Sequence, residues 1–239
     1  MDIIENKIEE RIFRLWDRPP KSHVEQWIFN RQMQTVKQGL QLLPCLIEPY
    51  RSHKHYESVF FHSLQLHLYA RILDDAIDEG LPAHRLQLLK AQPLLLESVT
   101  TLVSLFGGRK DSFLFLLHET VQAVEQEWNN PAEFEQWGVK NHHLLIPPLL
   151  LAPSIDEFEK YKNVLSEFIF ILQIKDELKQ SSSSYKKKQM LQSLISITES
   201  SWVESLRQGG WIQITDRLSN DLQELYNLFK LSELEGIDG

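Results

Sequence analysis

Three aspartates, Asp74, Asp75 and Asp78, sit in the otherwise apolar run HLYARILDDAIDE at 67–79. In a helix the i to i+4 spacing places Asp74 and Asp78 on one face, about one turn apart. Carboxylates so close repel each other unless a cation lies between them or water covers them. Oxygen ligands with no nearby cysteine or suitably spaced histidine favour Mg2+ over zinc, and Mg2+ bridges one or two carboxylates to a substrate phosphate while keeping several waters. Asp75 falls about 100° round the helix from Asp74, and Arg71 is spaced as its i to i+4 partner. An isolated DDxxD is more often a solvated acidic helix end, so the chemistry needs a second feature.

That feature lies at 154–180, SIDEFEKYKNVLSEFIFILQIKDELKQ, where Phe158, Leu165, Ile169 and Leu172 form an apolar helical stripe leading to Asp176 and Glu177. RILDDAIDEG followed about a hundred residues later by LQIKDELKQ resembles the class I isoprenoid synthase family, which includes trans-prenyl diphosphate synthases, squalene and phytoene synthases and class I terpene cyclases. KNHHLLIPPLLLA at 140–152 resembles the segment in which prenyl synthases set a lysine against the diphosphate. In the family's order these features cover roughly residues 55–180.

The resemblance implies an all-α fold: a single-domain orthogonal helical bundle of the isoprenoid-synthase type over 1–239, with a central apolar cavity. It implies two or three Mg2+ ions bound with a diphosphate by Asp74, Asp75 and Asp78 on one helix and Asp176, Glu177 and Gln180 on another. Asp74, Asp78, Asp176 and Lys140 are the expected catalytic set. Gln180 stands where prenyl synthases have an acid, which weakens one metal position. Chain-elongating synthases carry an arginine pair soon after the first motif, but this chain has DEGLPAHR with a lone Arg85. The second motif does not match the Asn, Ser/Thr, Glu triad of terpene cyclases either.

Ionising a prenyl diphosphate needs electrostatic stabilisation of the leaving group and an apolar, water-free pocket for the allylic cation. Counting at 100° per residue, Phe60, Ser63, His67 and Ala70 fall within about 40° of the Asp74 direction and are expected to line that pocket. Arg71, Lys140, Ile169 and Gln173 complete the candidate substrate contacts. Phe60, Phe61, Phe113, Phe115, Trp128, Phe168 and Phe170 are the available aromatic lining, although aromatics at helical spacing are usually core. In the prenyl synthases the residues four and five before the first aspartate limit chain length. Here they are Ala70 and Tyr69, and the small Ala70 suits fifteen carbons or more.

The expected function is a Mg2+-dependent class I terpene synthase that ionises one prenyl diphosphate and cyclises or quenches the cation. A prenyltransferase or head-to-head condensing enzyme, and a non-catalytic partner that regulates an active synthase, remain open. A di-iron bundle is excluded because no Glu-x-x-His occurs.

The elements that must position these residues read as about nine helices. The 239 residues, 42% hydrophobic, can bury one sizeable core, and only 9 Gly and 10 Pro argue for long helices. The spacing predicts helices over 2–16, from a Ser22/Glu25 capping box to a stop before Pro44, from Tyr56 to Gly80, over 84–105 with a break at Pro93, and over 111–128, 130–141, 154–180, 189–206 and 211–230. SSSSYKKK at 181–188 reads as a polar loop and the tail after Leu231 as frayed. A net charge of −8 opposes nucleic-acid binding. With the single Cys45, an acid-rich amino terminus and no apolar run long enough to span a bilayer, the expected location is cytoplasmic, with no transmembrane segment. Whether the chain forms a homodimer is open.

Overall fold

The computed structural model describes residues 2–129, 139–180 and 202–217 and the isolated positions 220, 223, 224 and 227, and within these it leaves aside the side chains of residues 2, 127, 128 and 176–180. Every regular element among the described residues is helical. These are α1 (Asp2–Trp16), α2 (His23–Leu46), α3 (Tyr56–Asp78), α4 (Pro82–Leu105), α5 (Lys110–Asn129), α6 (Ile146–Leu151), α7 (Ile155–Gln180) and α8 (Trp202–Gln208). Short 3-10 turns cover Glu48–Tyr50, Gly107–Arg109 and His142–Leu145. No helix among the described residues is long and apolar enough to cross a membrane. The expected helix over 130–141 lies almost wholly outside the described residues, as do the 181–188 loop and most of 189–201.

The chain divides into two compact units: residues 1–118 with 146–152, and residues 119–145 with 153–239. In the first, α3 is the central helix, packed on α1, α2, α4 and α6. Its Val59, Phe60, Leu64, Leu66, Leu68 and Ile72 are all buried, so apolar side chains face several neighbours at once rather than one stripe. At Gly39 of α2 an added Cβ would run into the Leu64 side chain and lie 3.2 Å from His67 Cδ2. The absent side chain therefore lets α2 and α3 approach closely at that level.

Local signals explain most helix ends. Ser22 accepts from the Glu25 N–H at 3.1 Å while Glu25 reaches back to the Ser22 N–H, so the capping box forms. Gly80, at φ 61, takes the left-handed conformation after α3 that a side chain would resist.

Two proline expectations need correction. The α2 helix runs through Pro44 to Leu46, closed by the Ile47 N–H to Leu43 O bond at 3.2 Å, because Leu43, Cys45 and Leu46 are buried there. The α4 helix begins at Pro82, where a first-turn proline loses nothing, and is unbroken at Pro93. Ala91, Leu94, Ser98 and Leu102 are buried on either side of that proline, and burial outweighs its cost of about 3 kcal/mol.

Arg109 closes the carboxyl end of α6. Its Nη1 donates to the carbonyls of Leu149 and of Leu150, the latter at 3.0 Å, and its Nη2 donates to Ala152 O at 2.6 Å. A guanidinium thus satisfies carbonyls that a six-residue helix cannot pair internally, and its charge suits the helix's negative end.

In the second unit α7 carries the core, with Phe158, Leu165, Phe168, Ile169, Ile171 and Ile174 buried. Trp211, also buried, packs its ring 4.7 Å from Tyr161.

Replacing Arg109 by Met should lower unfolding free energy by roughly 2–3 kcal/mol, since several buried carbonyls lose a charged donor together. Lysine should restore only part of it, having no fork. Chemical denaturation of the two variants beside the wild type measures both; equal stability of Arg109→Met and wild type would remove the capping role.

Candidate functional site

The first acidic motif occupies the last turn of α3, and its three aspartates have different surroundings. Asp78 is exposed, Asp74 is part-buried with 22% of its side chain accessible, and Asp75 is buried with 4% accessible. Asp75 continues the buried face of Leu64 and Leu68, which explains why it turns inward. Asp74 and Asp78 are one turn apart on the other side.

Two arginines meet this end of the helix. The Arg31 Nε–H of α2 donates to Asp75 Oδ1 at 2.8 Å, and Arg71 Nε approaches the same oxygen at 3.1 Å. The Arg71 Nη1 donates to Asp74 Oδ2, also at 3.1 Å. The Arg31 guanidinium lies over the Trp27 ring, 5.2 Å from its centroid, and His84 meets that ring edge-on at 5.5 Å. Burial pushes the Asp75 carboxyl up to about 6; the charge and hydrogen bond of Arg31 oppose that rise, and repulsion from Asp74 adds to it. Arg31 was not foreseen as a site residue. Its trace in the sequence is a polar series, Arg31, Gln32 and Thr35, on the face of α2 that also carries the buried Ile28 and Val36.

The expected pocket residues lie further back on α3. Phe60 and Ser63 are buried, while His67 and Ala70 are part-buried. Desolvation lowers the His67 imidazole from 6.5 to about 4, so it is neutral at pH 7. Among the candidate aromatic lining, Phe113 and Phe168 are buried but Phe115 is 53% exposed. That corrects its expected place: two residues on from Phe113 is about 200° round the helix, so Phe115 points outward. The Trp128 side chain is outside the described set.

In the second unit, Asn141 Nδ2 donates to Gln173 Oε1 at 3.1 Å, joining the segment before α6 to α7. His142 Nδ1 is 3.2 Å from Glu119 Oε2, and the His143 N–H donates to Thr120 Oγ1 at 3.0 Å. Lys140 is part-buried and Ile169 is buried in the α7 core. Burial lowers the His142 imidazole from its ordinary value, with Glu119 pulling the other way. The α7 helix extends to Gln180, as expected, but the side chains of Asp176, Glu177 and Gln180 lie outside the described residues.

No protein-family model, curated protein or solved structure matches this chain.

Among the described residues, no three His, Cys, Asp or Glu side chains gather into a metal-holding group. Asp74 and Asp78 are the acids of this turn with accessible side chains, and Mg2+ needs only one or two carboxylates when phosphates and water complete its shell. Asp75 fits less well, since one of its oxygens already receives two guanidiniums.

His67 gives a pH signature. Its folded value of about 4 lies below the ordinary 6.5, so the stability it contributes is present above pH 6.5 and lost as pH falls toward 4, roughly 3 kcal/mol across that window. In denaturant titrations over pH 7 to 4, His67→Gln should lose correspondingly less stability than wild type. Parallel pH curves for the two proteins would show that this imidazole does not titrate differently on unfolding.

Proposed function

We propose that this chain is a Mg2+-dependent class I terpene synthase that ionises a single prenyl diphosphate of fifteen or more carbons, as one isoprenoid-synthase-like domain. The observation that carries the reading is the division of labour at the end of α3: Asp74 and Asp78 share the accessible face while Asp75 anchors the turn from inside. An acidic cluster that served only solubility would have no use for a buried member held by two arginines. The reading requires an orthogonal helical bundle with a central apolar cavity, and it takes the cytoplasm as the working compartment.

In this proposal Asp74 and Asp78 bind the metal-bridged diphosphate, and Arg71 steadies Asp74 beside it. Mg2+ bound with the substrate supplies positive charge that stabilises the departing diphosphate. The protein's part is to orient the leaving group, to exclude water and to keep the polar side chains nearest the allylic cation uncharged, as His67 is at pH 7. Lys140, and Asp176 and Glu177 on α7, are proposed to complete the diphosphate contacts, with Gln180 the weak metal position.

One specific observation favours a second reading, a non-catalytic regulatory partner. Arg31 and Arg71 already neutralise Asp75 and part of Asp74, and Gln180 replaces an acid. Such a protein would bind a partner synthase, or bind diphosphate without cleaving it. A prenyltransferase has no comparable support beyond the resemblance.

Incubation with Mg2+ and geranyl, farnesyl or geranylgeranyl diphosphate decides among these. Hydrocarbon or alcohol release means a cyclase, a longer diphosphate or a dimerised hydrocarbon means coupling, and intact substrate throughout means the regulatory reading. Asp74→Ala and Asp78→Ala should each lower diphosphate release at least about a hundredfold while remaining folded, because crowding of like charge is relieved. Turnover retained in either variant would remove that carboxylate from the site.

Ala70→Phe tests the depth of the pocket. Added bulk one turn before Asp74 should exclude the longest substrate the wild type accepts and still permit ionisation of a shorter one. If all activities and the melting temperature fall together, Ala70 is only a close helix contact.

A further inference from the structure

The register of α2 against α3 places Arg31 opposite Asp75. Gly39 meets His67, and moving eight residues back along α2 while moving eight forward along α3 arrives at Arg31 and Asp75, so the two helices run antiparallel in step over about 12 Å. The close approach at Gly39 therefore sets the level at which the Arg31 guanidinium reaches the acidic turn. At that level Arg31 is already oriented: Trp27, one turn earlier, lies under its guanidinium, and its own carbonyl accepts from Thr35 Oγ1 at 2.9 Å. A planar, stacked guanidinium loses little freedom on pairing.

From there restraint passes along α3. Asp75 Oδ1 takes the Arg31 Nε–H and also faces Arg71 Nε, which leaves Arg71 Nη1 to reach Asp74 Oδ2. By itself an i to i+3 pair such as Arg71 with Asp74 is a weak constraint, worth a few tenths of a kcal/mol on an isolated helix. Anchored at its Nε on a buried carboxylate, the same arginine holds Asp74 from a fixed base. With Asp75 buried and Arg31 part-buried, the pair is a poor device for stability alone, since packed apolar side chains of similar volume often do as well.

We infer that Arg31 is a positioning residue for the diphosphate site: through Asp75 and Arg71 it fixes the Asp74 carboxylate in the orientation that meets a metal-bridged diphosphate. This role rests on the proposed function and deepens it by naming what holds the first metal-binding carboxylate in place. The residues that do so come from a helix outside the acidic motif, as residues behind metal ligands commonly do.

Isothermal titration of the full chain with inorganic pyrophosphate in saturating Mg2+, together with the melting temperature of each protein, tests it. The double variant Arg31→Met/Asp75→Leu replaces the buried charges by apolar side chains, and Arg31→Lys keeps the charge without the fork. The double variant should melt close to wild type yet bind Mg2+-pyrophosphate about ten- to a hundredfold more weakly, the loss typical of residues supporting metal ligands. Arg31→Lys should show a smaller loss, at least about threefold, at an unchanged melting temperature. A double variant that melts and binds like wild type would overturn the positioning role. If that variant does not fold, Arg31→Lys decides: weaker binding at wild-type stability supports the role, and unchanged binding overturns it. Absence of any Mg2+-pyrophosphate binding by the wild type would instead remove the proposed function, and this role with it.

Discussion

The first unit contains a carboxylate that has been taken out of water. Asp75 is buried at the end of its central helix, where an unpaired charge would cost several kcal/mol, and it is tolerated because Arg31 and Arg71 meet one of its oxygens from two directions. That requirement ties α2 to α3 at one height and one rotation. The gap at Gly39 suits the same register from the other end, since a Cβ there would run into the Leu64 side chain and lie 3.2 Å from His67 Cδ2. Packing and electrostatics thus select the same register.

Much of this was legible in the residues. The helical period places Asp74 and Asp78 together, the Ser22/Glu25 pair marks the start of α2, and Gly80 marks the end of α3; each is local information acting within one or two turns. The inward role of Asp75 was not legible, because it depends on a partner 44 positions away whose height is set by a helix contact. Helical counting could say only that Asp75 points elsewhere than Asp74. The prolines show the same limit in reverse: Pro44 and Pro93 read as stops by local rules, and buried neighbours on both sides carry the helices through. Phe115 was misplaced for a related reason, since aromatic character alone does not tell which side of α5 faces a core.

Polar side chains also organise the contact between α3 and α4. Gln65, fully buried, accepts from Ser98 Oγ at 3.0 Å and lies 3.0 Å from His62 Nδ1, while Gln92 Nε2 donates to the Tyr69 hydroxyl at 3.1 Å. A buried amide whose partners are mismatched costs stability. These bonds therefore hold α4 in step with α3 as Arg31 holds α2. The acidic turn is fixed on two sides by directional interactions.

Charge balance then constrains what the site can do. Arg31 and Arg71 contribute two positive charges and Asp74 and Asp75 two negative ones, so the paired group is neutral when both acids are ionised. A chain of net charge −8 offers a polyanion no general attraction. Pairing on these acids occupies the Arg31 Nε and the Arg71 Nε and Nη1, so much of both positive charges is already spent there. In the proposed function, the affinity of this turn for diphosphate comes from cations brought with the ligand. The same pairing that holds the turn leaves Asp74 and Asp78 as its carboxylates on the accessible face.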